Sequence, residues 1–460
     1  MNNLVAPVTP RPKDEPLLTR DLLDLPFRAS EKPSTAHRIG VEAEKFGFLL
    51  PDFAPLPYEG ERSIQALLLG LARRGFHEER ETTEGPVIAL SRDGSSVTLE
   101  PGGQFELSGA PQFDLHAVAK EIAEHYSELA ELSAPLGIVF CSSGFHPLAA
   151  RAALPWVPKL RYAIMREYLP SLGNGALDMM QRTATIQVNF DYSSERDALR
   201  KLKLLLRISP LVHAMTANSP LCEGHLTSEA SIRGDVWTRM DPSRSGLLER
   251  LWSKQDLSYD DYIEWALDSG MFLFKRNGEI IANTGQTFRD FLRKGFQGHQ
   301  ATLSDWRLHL NTLFPEVRLK NTLEVRACDA QPAETMMGVP ALWVGLLYDD
   351  IALEQTEMLT AQYNLEDIRQ SRKALIEKGY GTYVGGNLFD DLAKAIIEIA
   401  MGGLQRRAKL DASGKTEEAY LLPLSELVER RMSPGMALRE KLSKVPVLSA
   451  SAIVNATRVV

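Results

Sequence analysis

The sequence predicts an α+β fold in which an antiparallel or mixed sheet carries helices on one side. Segments of alternating apolar and polar residues are concentrated in the first 200 residues and predict strands. Neighbouring strands are not separated by helices in the regular alternation that parallel βαβ units require. Beyond Trp252 the apolar spacing is mostly helical.

The predicted strands follow from a period of two in side-chain character, which gives each strand one apolar and one polar face. A hairpin is expected between residues 87 and 108, where two such runs flank a tight turn. The predicted strand segments are residues 38–49, 87–108, 137–145, 182–192, 271–275 and 322–328.

The predicted helices follow from apolar residues spaced by three and four. Asp114 is a suitable N-cap for one of them, and Ser193 and Ser194 precede another. The predicted helices are residues 58–76, 114–132, 193–218, 258–267, 287–294, 304–313, 341–359, 387–405 and 423–431.

Residues 1–36 are rich in proline and charge, and predict a flexible leader with one short helix near residues 17–25. The remaining residues, 37–460, are long enough for one large domain or two ordinary ones, and a single domain is expected. Its C-terminal part, about residues 411–460, is expected to be helical.

Composition excludes several classes of protein. A net charge of −8 does not favour a nucleic-acid partner. No apolar run approaches the length of a membrane span. Three cysteines without CxxC spacing indicate a reducing compartment, and we expect a cytoplasmic protein.

The turn between the two hairpin strands is the most informative stretch. Glu100 and Glu106 lie on either side of Pro101 and Gly102. Pro101 presets φ for a turn, and Gly102 is expected to take the positive φ of a type II turn. Gln104 and Glu106 would then share one sheet face.

Other predicted strands carry side-chain oxygens in the same way. Glu42 and Glu44 alternate on the first strand, Gln187 and Asn189 on a later one, and Glu324 on the last. Each glutamate alone also fits an ordinary solvated sheet face. Together, with apolar residues alternating on the opposite face, they predict a bed of oxygen ligands for Mg²⁺.

Magnesium bound by a few carboxylates suggests ATP, yet the sequence has no GxxxxGK[ST] loop. The glycine-rich residues 379–386 lack the lysine and are interpreted as a plain loop.

Arginines outside charge runs are candidates for binding anions, and Arg161 and Arg233 are the better ones. The others are Arg166, Arg182 and Arg326. No arrangement for a covalent nucleophile is recognisable, and His146 is interpreted as a loop residue.

Two motifs carry a resemblance to a known family: RIGVEAEKFGF at residues 38–48 and VTLEPGGQFELSGAP at residues 97–111. They resemble the plant and proteobacterial glutamate–cysteine ligases, also called γ-glutamylcysteine synthetases. Further matching segments lie in order along residues 14–410. They are RYAIMR (161–166), LDMM (177–180), TIQVN (185–189), ANSP (217–220), TLFPEVRLK (312–320) and WVGLLYDD (343–350).

The resemblance implies a cup-shaped antiparallel sheet like that of glutamine synthetase. It also implies an ATP- and Mg²⁺-dependent ligase that joins glutamate to cysteine in the first step of glutathione synthesis. The implied roles are substrate binding by Arg161 and Arg233, and catalysis by Arg326. The implied metal residues are Glu42, Glu44, Glu100, Glu106, Gln187 and Glu324.

Two departures from the family pattern are visible. The cysteine pairs of plant members correspond here to Ala119 with Met337, and to Asn283 with a partner lost from residues 294–304, so no dithiol switch is expected. Leu160 replaces the glycine usual before the arginine.

Feedback by glutathione, and a monomer or a homodimer, are expected from the resemblance. The alternatives are a related ligase with another acceptor amine, and a non-catalytic binding protein on the same scaffold.

Overall fold

The computed structural model describes residues 17–460, and its main sheet has ten strands. The strands are β1 (Ile39–Leu49), β2 (Ala54–Pro55), β3 (His77–Arg80), β4 (Val87–Arg92), β5 (Ser95–Leu99), β6 (Phe105–Ser108), β7 (Ile138–Cys141), β8 (Ile186–Phe190), β9 (Val317–Leu319) and β10 (Leu323–Val325).

The α-helices connect and flank these strands. They are α1 (Leu25–Arg28), α2 (Ile64–Ala72), α3 (Leu115–Ser133), α4 (Leu160–Tyr168), α5 (Ala176–Arg182), α6 (Glu195–Met215), α7 (Ile232–Thr238), α8 (Glu249–Trp252), α9 (Tyr259–Asp268), α10 (Phe288–Lys294), α11 (Leu303–Leu310), α12 (Ala333–Met336), α13 (Gly338–Leu347), α14 (Asp350–Thr360), α15 (Leu365–Glu377), α16 (Phe389–Arg407), α17 (Leu422–Glu429), α18 (Pro434–Ser443) and α19 (Ala450–Thr457).

The strand order is β9-β10-β8-β1-β6-β5-β4-β3, and β2 and β7 also pair with β1. Every pairing in this sheet is antiparallel. The predicted antiparallel α+β fold is therefore confirmed. The predicted strand at residues 271–275 lies outside this sheet, because Leu273–Arg276 pairs instead with Glu279–Ala282.

The apolar face of the central strands is covered by helices. Val41 of β1, Val188 of β8 and Val325 of β10 belong to one buried cluster with the apolar side chains of α6, α13 and α16. Burial of this face is the main stabilising contribution to the sheet. It leaves the polar side chains of the same strands on the opposite face.

Residues 17–36, the described part of the expected leader, are packed against the domain. Residues 1–16 lie outside the described residues. Leu23 and Phe27 are fully buried, and the indole of Trp306 donates a 2.8 Å hydrogen bond to the carbonyl of Leu23. The predicted helix at residues 17–25 is replaced by a short 3₁₀ turn and α1, because Pro26 starts a new helix.

The C-terminal segment forms α17, α18 and α19 and then returns to the sheet. After α19 the chain runs beside β7, where Val459 N donates to Phe140 O (2.9 Å) and Phe140 N donates to Val460 O (3.0 Å). The last residues thus cover an edge that β7 would otherwise expose.

No single helix in residues 17–460 has both the length and the apolar character needed to cross a membrane. One bent pair, Ala333–Leu347 with Asp350–Thr360, meets these criteria only when its two helices are taken together.

The hairpin turn differs from its prediction in one detail. Gly103, and not Gly102, has a positive φ of 84°, and Gly103 N donates to Glu100 O (2.9 Å). Glu100 N also donates to Gln104 O (3.0 Å), which gives a three-residue loop rather than a simple type II turn. Gly102 is needed for space, because a Cβ there would lie 2.3 Å from the carbonyl oxygen of Gln181.

We expect Gly102→Ala to destabilise the protein by ~2 kcal/mol, since the clash is with backbone that must move. The midpoint of urea unfolding should fall measurably. Gly285→Ala is the matched control, because a Cβ there meets nothing within 4 Å. Equal midpoints for the two variants would contradict the close approach of the hairpin to α5.

Candidate active site

One face of the central sheet collects polar side chains from separate parts of the sequence. The register places Glu44 of β1 opposite Glu106 of β6, and Glu42 opposite Gln187 of β8. Glu324 of β10 lies opposite Asn189, the next residue on the same face of β8. Five of the six predicted metal residues thus lie on neighbouring strands with the same orientation.

Glu42, Glu44 and Glu106 form a buried acidic group. Burial raises the pKa of all three, and a neighbouring carboxylate adds to the effect in each case: Glu324 for Glu42, Glu106 for Glu44 and Glu42 for Glu106. The pKa of Glu106 is raised to about 8. Neutral donors contact two of these carboxylates: Asn189 Nδ2 donates to Glu42 (2.9 Å) and Thr185 N to Glu44 (3.0 Å). Nearby cations partly offset the raised pKa of each group: Lys320 for Glu42, Arg233 for Glu44 and Lys159 for Glu106. A cation bound among the three carboxylates would remove an electrostatic cost.

Glu324 has a different environment. Its carboxylate is fully buried and accepts from Arg318 (2.6 and 2.9 Å), while Lys320 lies 2.6 Å away and Arg326 is in direct contact. Burial alone would raise the pKa of Glu324, but these three cations hold it well below its usual range. Glu324 therefore anchors positive charge, and its role as a metal ligand stays a prediction.

Arg326 connects this cationic group to the acidic one. Its side chain follows Glu324 on the same face, and Nη1 donates to Gln187 Oε1 (2.5 Å). Its Nε is buried and has no partner among the described residues. The ring centroids of Trp237 and Phe314 lie 6.0 and 5.8 Å from its guanidinium carbon, and contact with these two rings restricts the position of the side chain.

Arg233, the second residue of α7, is also buried and lies beside Arg326. It donates to Arg326 O (2.7 Å) and to Ala327 O (3.0 Å), and its Nε has no partner in the described chain. Arg161 is half-buried in α4 beside Tyr162, and its Nε is likewise buried and unpartnered within residues 17–460. The three predicted arginines thus offer donor groups for an acceptor-rich ligand.

Glu100 lies at the hairpin turn, near a cation that the sequence did not single out. Lys159 is buried, donates to Leu99 O (2.8 Å) and has its pKa lowered to about 8 by burial and by Arg161. Glu100 and Glu106 oppose this shift. Lys159 precedes α4 in an irregular segment, so no periodicity marks it.

Arg318 and Lys320 were also missed, although a signal for them exists. Arg318 lies in β9 and Lys320 directly follows that strand, so the two side chains are two residues apart and share a face. Only the pairing of β9 with β10, which places Arg318 opposite Glu324, shows that this face is the acidic one.

A cleft extends the polar face toward the start of β1. It is lined mainly by uncharged polar groups and glycines, and its charged lining residues are Lys32, Arg38, Glu42 and Asp191. The other lining residues include Gly40, Gly94, Ser96, Ser108, Gly109, Asn189 and Thr322.

The arrangement of these side chains bears on how a metal ion could be bound, while the ligand set itself stays a prediction. Within residues 17–460, no three His, Cys, Asp or Glu side chains are placed so that they alone could hold a metal ion. The chemistry of the acidic group fits a hard cation, since its donors are carboxylate and amide oxygens. Ligands from a bound substrate would be needed to complete the coordination.

Residues 38–453 match the family described as glutamate–cysteine ligase family 2. This chain belongs to the glutamate–cysteine ligase family. The membership inferred from the sequence motifs is thereby confirmed, together with the enzyme class.

Relatives within the glutamate–cysteine ligase family include chloroplastic plant proteins. The glutamate–cysteine ligase of Medicago truncatula is 38% identical over 93% of this chain and 82% of its own length. Ligase B of Oryza sativa subsp. japonica is 38% identical over 92% of this chain and 84% of its own length. The Arabidopsis thaliana ligase is 38% identical over 93% and 80%.

A solved structure shares the fold at low sequence identity. The glutamate–cysteine ligase of Francisella tularensis, crystallised in complex with AMP, aligns with a TM-score of 0.53 and 11% identity. The alignment covers 93% of this chain and 92% of that one. It supports the fold of the family across the whole domain.

The prediction of a cytoplasmic location is wrong by this comparison. The relatives within the glutamate–cysteine ligase family carry names that place them in the chloroplast. Three free cysteines indicate a reducing compartment but do not distinguish one such compartment from another.

Proposed function

We propose that this protein is an ATP-dependent ligase that joins the γ-carboxylate of glutamate to the amine of cysteine and so forms γ-glutamylcysteine for glutathione synthesis. The observation that carries this proposal is the meeting of two groups on one sheet face. Buried carboxylates at Glu42, Glu44 and Glu106 lie next to a cationic group containing Arg326.

The reaction needs an activated carboxylate, since a free carboxylate is a poor electrophile. An oxygen of the γ-carboxylate attacks the γ-phosphorus of ATP, and the bond to ADP breaks. The neutral amine of cysteine then attacks the γ-carbonyl, loses its proton, and displaces inorganic phosphate. Positioning and charge stabilisation suffice for both steps, which fits a site without a protein nucleophile.

Each proposed role follows from the contacts of the side chain. Arg233 and Arg161 have unused buried donors and would bind the carboxylate of glutamate. Arg326 would contact the transferred phosphoryl group, and Glu324 fixes its orientation. Because Lys159 is buried with a lowered pKa, it is a further donor beside Glu100.

Mg²⁺ would be held by the predicted oxygen ligands, Glu42, Glu44, Glu100, Glu106, Gln187 and Glu324, together with the phosphates of ATP. When bound, it offsets the negative charge of the phosphate oxygens. Phosphate oxygens would complete the coordination, since Mg²⁺ commonly takes one or two carboxylates plus substrate phosphates. The cations around Glu324 favour Glu42, Glu44 and Glu106 as the main ligands.

The cleft beside Glu42 is where we place the rest of the nucleotide. Its glycines permit close approach of a flat group, and Ser96, Ser108, Asn189 and Thr322 supply neutral hydrogen-bonding groups. A nucleotide there would have its phosphates near Glu42 and the acidic group.

The test uses glutamate labelled with ¹⁸O in the γ-carboxylate, together with ATP and an acceptor amine. With cysteine we expect one labelled oxygen in each inorganic phosphate released, and γ-glutamylcysteine by mass. Unlabelled phosphate would contradict the acyl-phosphate route.

Comparing cysteine with 2-aminobutyrate and ammonia separates the alternatives. Faster turnover with another amine would favour a related ligase with that acceptor. No turnover with any acceptor, despite binding of ATP and glutamate, would favour a non-catalytic binding protein.

A further inference from the structure

Asp329 lies behind Arg233 in a buried cluster that none of the proposed roles uses. Its side chain is fully buried. One carboxylate oxygen, Oδ2, accepts from Ser219 Oγ (2.7 Å), Ser231 Oγ (2.9 Å) and Asn218 N (2.8 Å). These three donors fix the carboxylate in one position.

The cluster holds Arg233 from two sides. Asp329 Oδ1 lies 3.6 Å from Nη1 of the guanidinium, and Ser219 Oγ accepts from the backbone N of Arg233 (3.2 Å). Ser231 caps α7 by accepting from Gly234 N (2.9 Å). The start of α7 and the end of the arginine side chain are therefore set by the same group of residues.

Arg233 in turn holds the segment between β10 and Asp329. Its two terminal nitrogens donate to the carbonyls of Arg326 and Ala327, and the ring of His213 also contacts Ala327 O (2.7 Å). Asp329, Arg233 and the backbone of Arg326 thus form one connected unit.

The charge of Asp329 also stabilises the buried guanidinium of Arg233. Burial lowers the pKa of Arg233, and Asp329 is the largest of the charges that oppose this. A buried guanidinium with no counter-charge would be costly to keep in place.

We propose that Asp329 is a positioning residue of the ligase: it fixes the guanidinium of Arg233 so that the remaining N–H groups bind the carboxylate of glutamate. Asp329 acts only through Arg233 and does not touch substrate. The inference rests on the proposed function, because it takes glutamate as the ligand of Arg233.

The test is Asp329→Asn, which keeps the size of the side chain and removes its charge. We expect KM for glutamate to rise about tenfold or more, the size of effect that loss of a charged hydrogen-bonding partner produces. KM for ATP should stay within threefold. A purely structural role would lower the amount of folded enzyme and leave KM for glutamate unchanged.

Asp305→Asn is the matched control, since Asp305 is also buried and pairs with an arginine, Arg276, at 2.6 Å. It should lower thermal stability without changing KM for glutamate. If Asp329→Asn does not fold, Ser219→Ala removes one donor to the same carboxylate and should raise KM in the same direction.

Arg233→Lys in the same assay distinguishes a failure of the proposed glutamate-binding role of Arg233 from a failure of the positioning role of Asp329. If it leaves KM for glutamate unchanged, the proposed role of Arg233 fails. If it raises KM while Asp329→Asn and Ser219→Ala both leave it within twofold, the positioning role of Asp329 is overturned.

Discussion

Glu106→Gln is expected to lower kcat about 1,000-fold at saturating glutamate, cysteine and Mg-ATP, the upper range for loss of one electrostatic group in a water-poor site. Glu106 is buried on the face where the phosphates would lie, and its cross-strand partner is Glu44. The amide keeps the shape of the side chain and its hydrogen bond to Thr98 but removes the charge that Mg²⁺ requires. Initial rates of phosphate release, measured over a range of Mg²⁺ concentrations, give the effect.

Glu417→Gln is the control for this variant. Glu417 is also fully buried, but it accepts from the backbone N of Leu115 (2.8 Å) and pairs with Arg407, away from the acidic group. It should lower the melting temperature and leave kcat of the folded enzyme within threefold. A Glu106→Gln enzyme with kcat within threefold of the parent would remove Glu106 from the metal site.

Arg326→Lys is expected to lower kcat about 100-fold, below the full effect of removing an arginine that stabilises a transferring phosphoryl group. The positive charge remains, but lysine lacks the planar fork that can contact Gln187, Glu324 and a phosphoryl oxygen together. Because the contact is made mainly in the transition state, KM for ATP should change little. Single-turnover measurement of ATP cleavage isolates the step.

The matched change elsewhere is Arg276→Lys, which replaces a buried arginine held by both oxygens of Asp305. It should reduce stability and leave the chemical step unchanged. If both lysine variants slow ATP cleavage equally, the effect of Arg326 is structural and its catalytic role is contradicted.

The shared face of Glu42 and Glu44 was predictable because a strand has a period of two. Alternation places Glu42 and Glu44 together, and a hairpin necessarily brings its second strand beside the first. The pairing of β1 with both β6 and β8 could not be derived from alternation, since it depends on contacts between segments about 60 and 145 residues apart in sequence. The family motifs supplied this information indirectly.

The environment of Glu324 shows why residue type alone did not decide its role. Glu324 and Glu106 are both buried strand glutamates, yet burial raises the pKa of one and cations lower that of the other. The difference comes from Arg318 on the adjacent strand and Lys320 directly after it. Their proximity follows from register, which the sequence does not specify.

At the Gly102–Gly103 turn, too, the sequence identified the residue type but not the full structural reason for it. The sequence indicated that a glycine is required, but two adjacent glycines offered two reasons. Gly103 supplies the positive φ, and Gly102 leaves room for Gln181 O from α5. The second reason is a tertiary contact, so turn chemistry could not assign it.

The most direct test of the central claim is a crystal structure of the enzyme with ADP, Mg²⁺ and glutamate. The ion should lie on the polar face of β1 and β6, bound by at least one oxygen of Glu44 or Glu106 and by a phosphate oxygen. The glutamate carboxylate should contact Arg233. An ordered ion and nucleotide located elsewhere, with Glu44 and Glu106 contacting neither, would contradict the account.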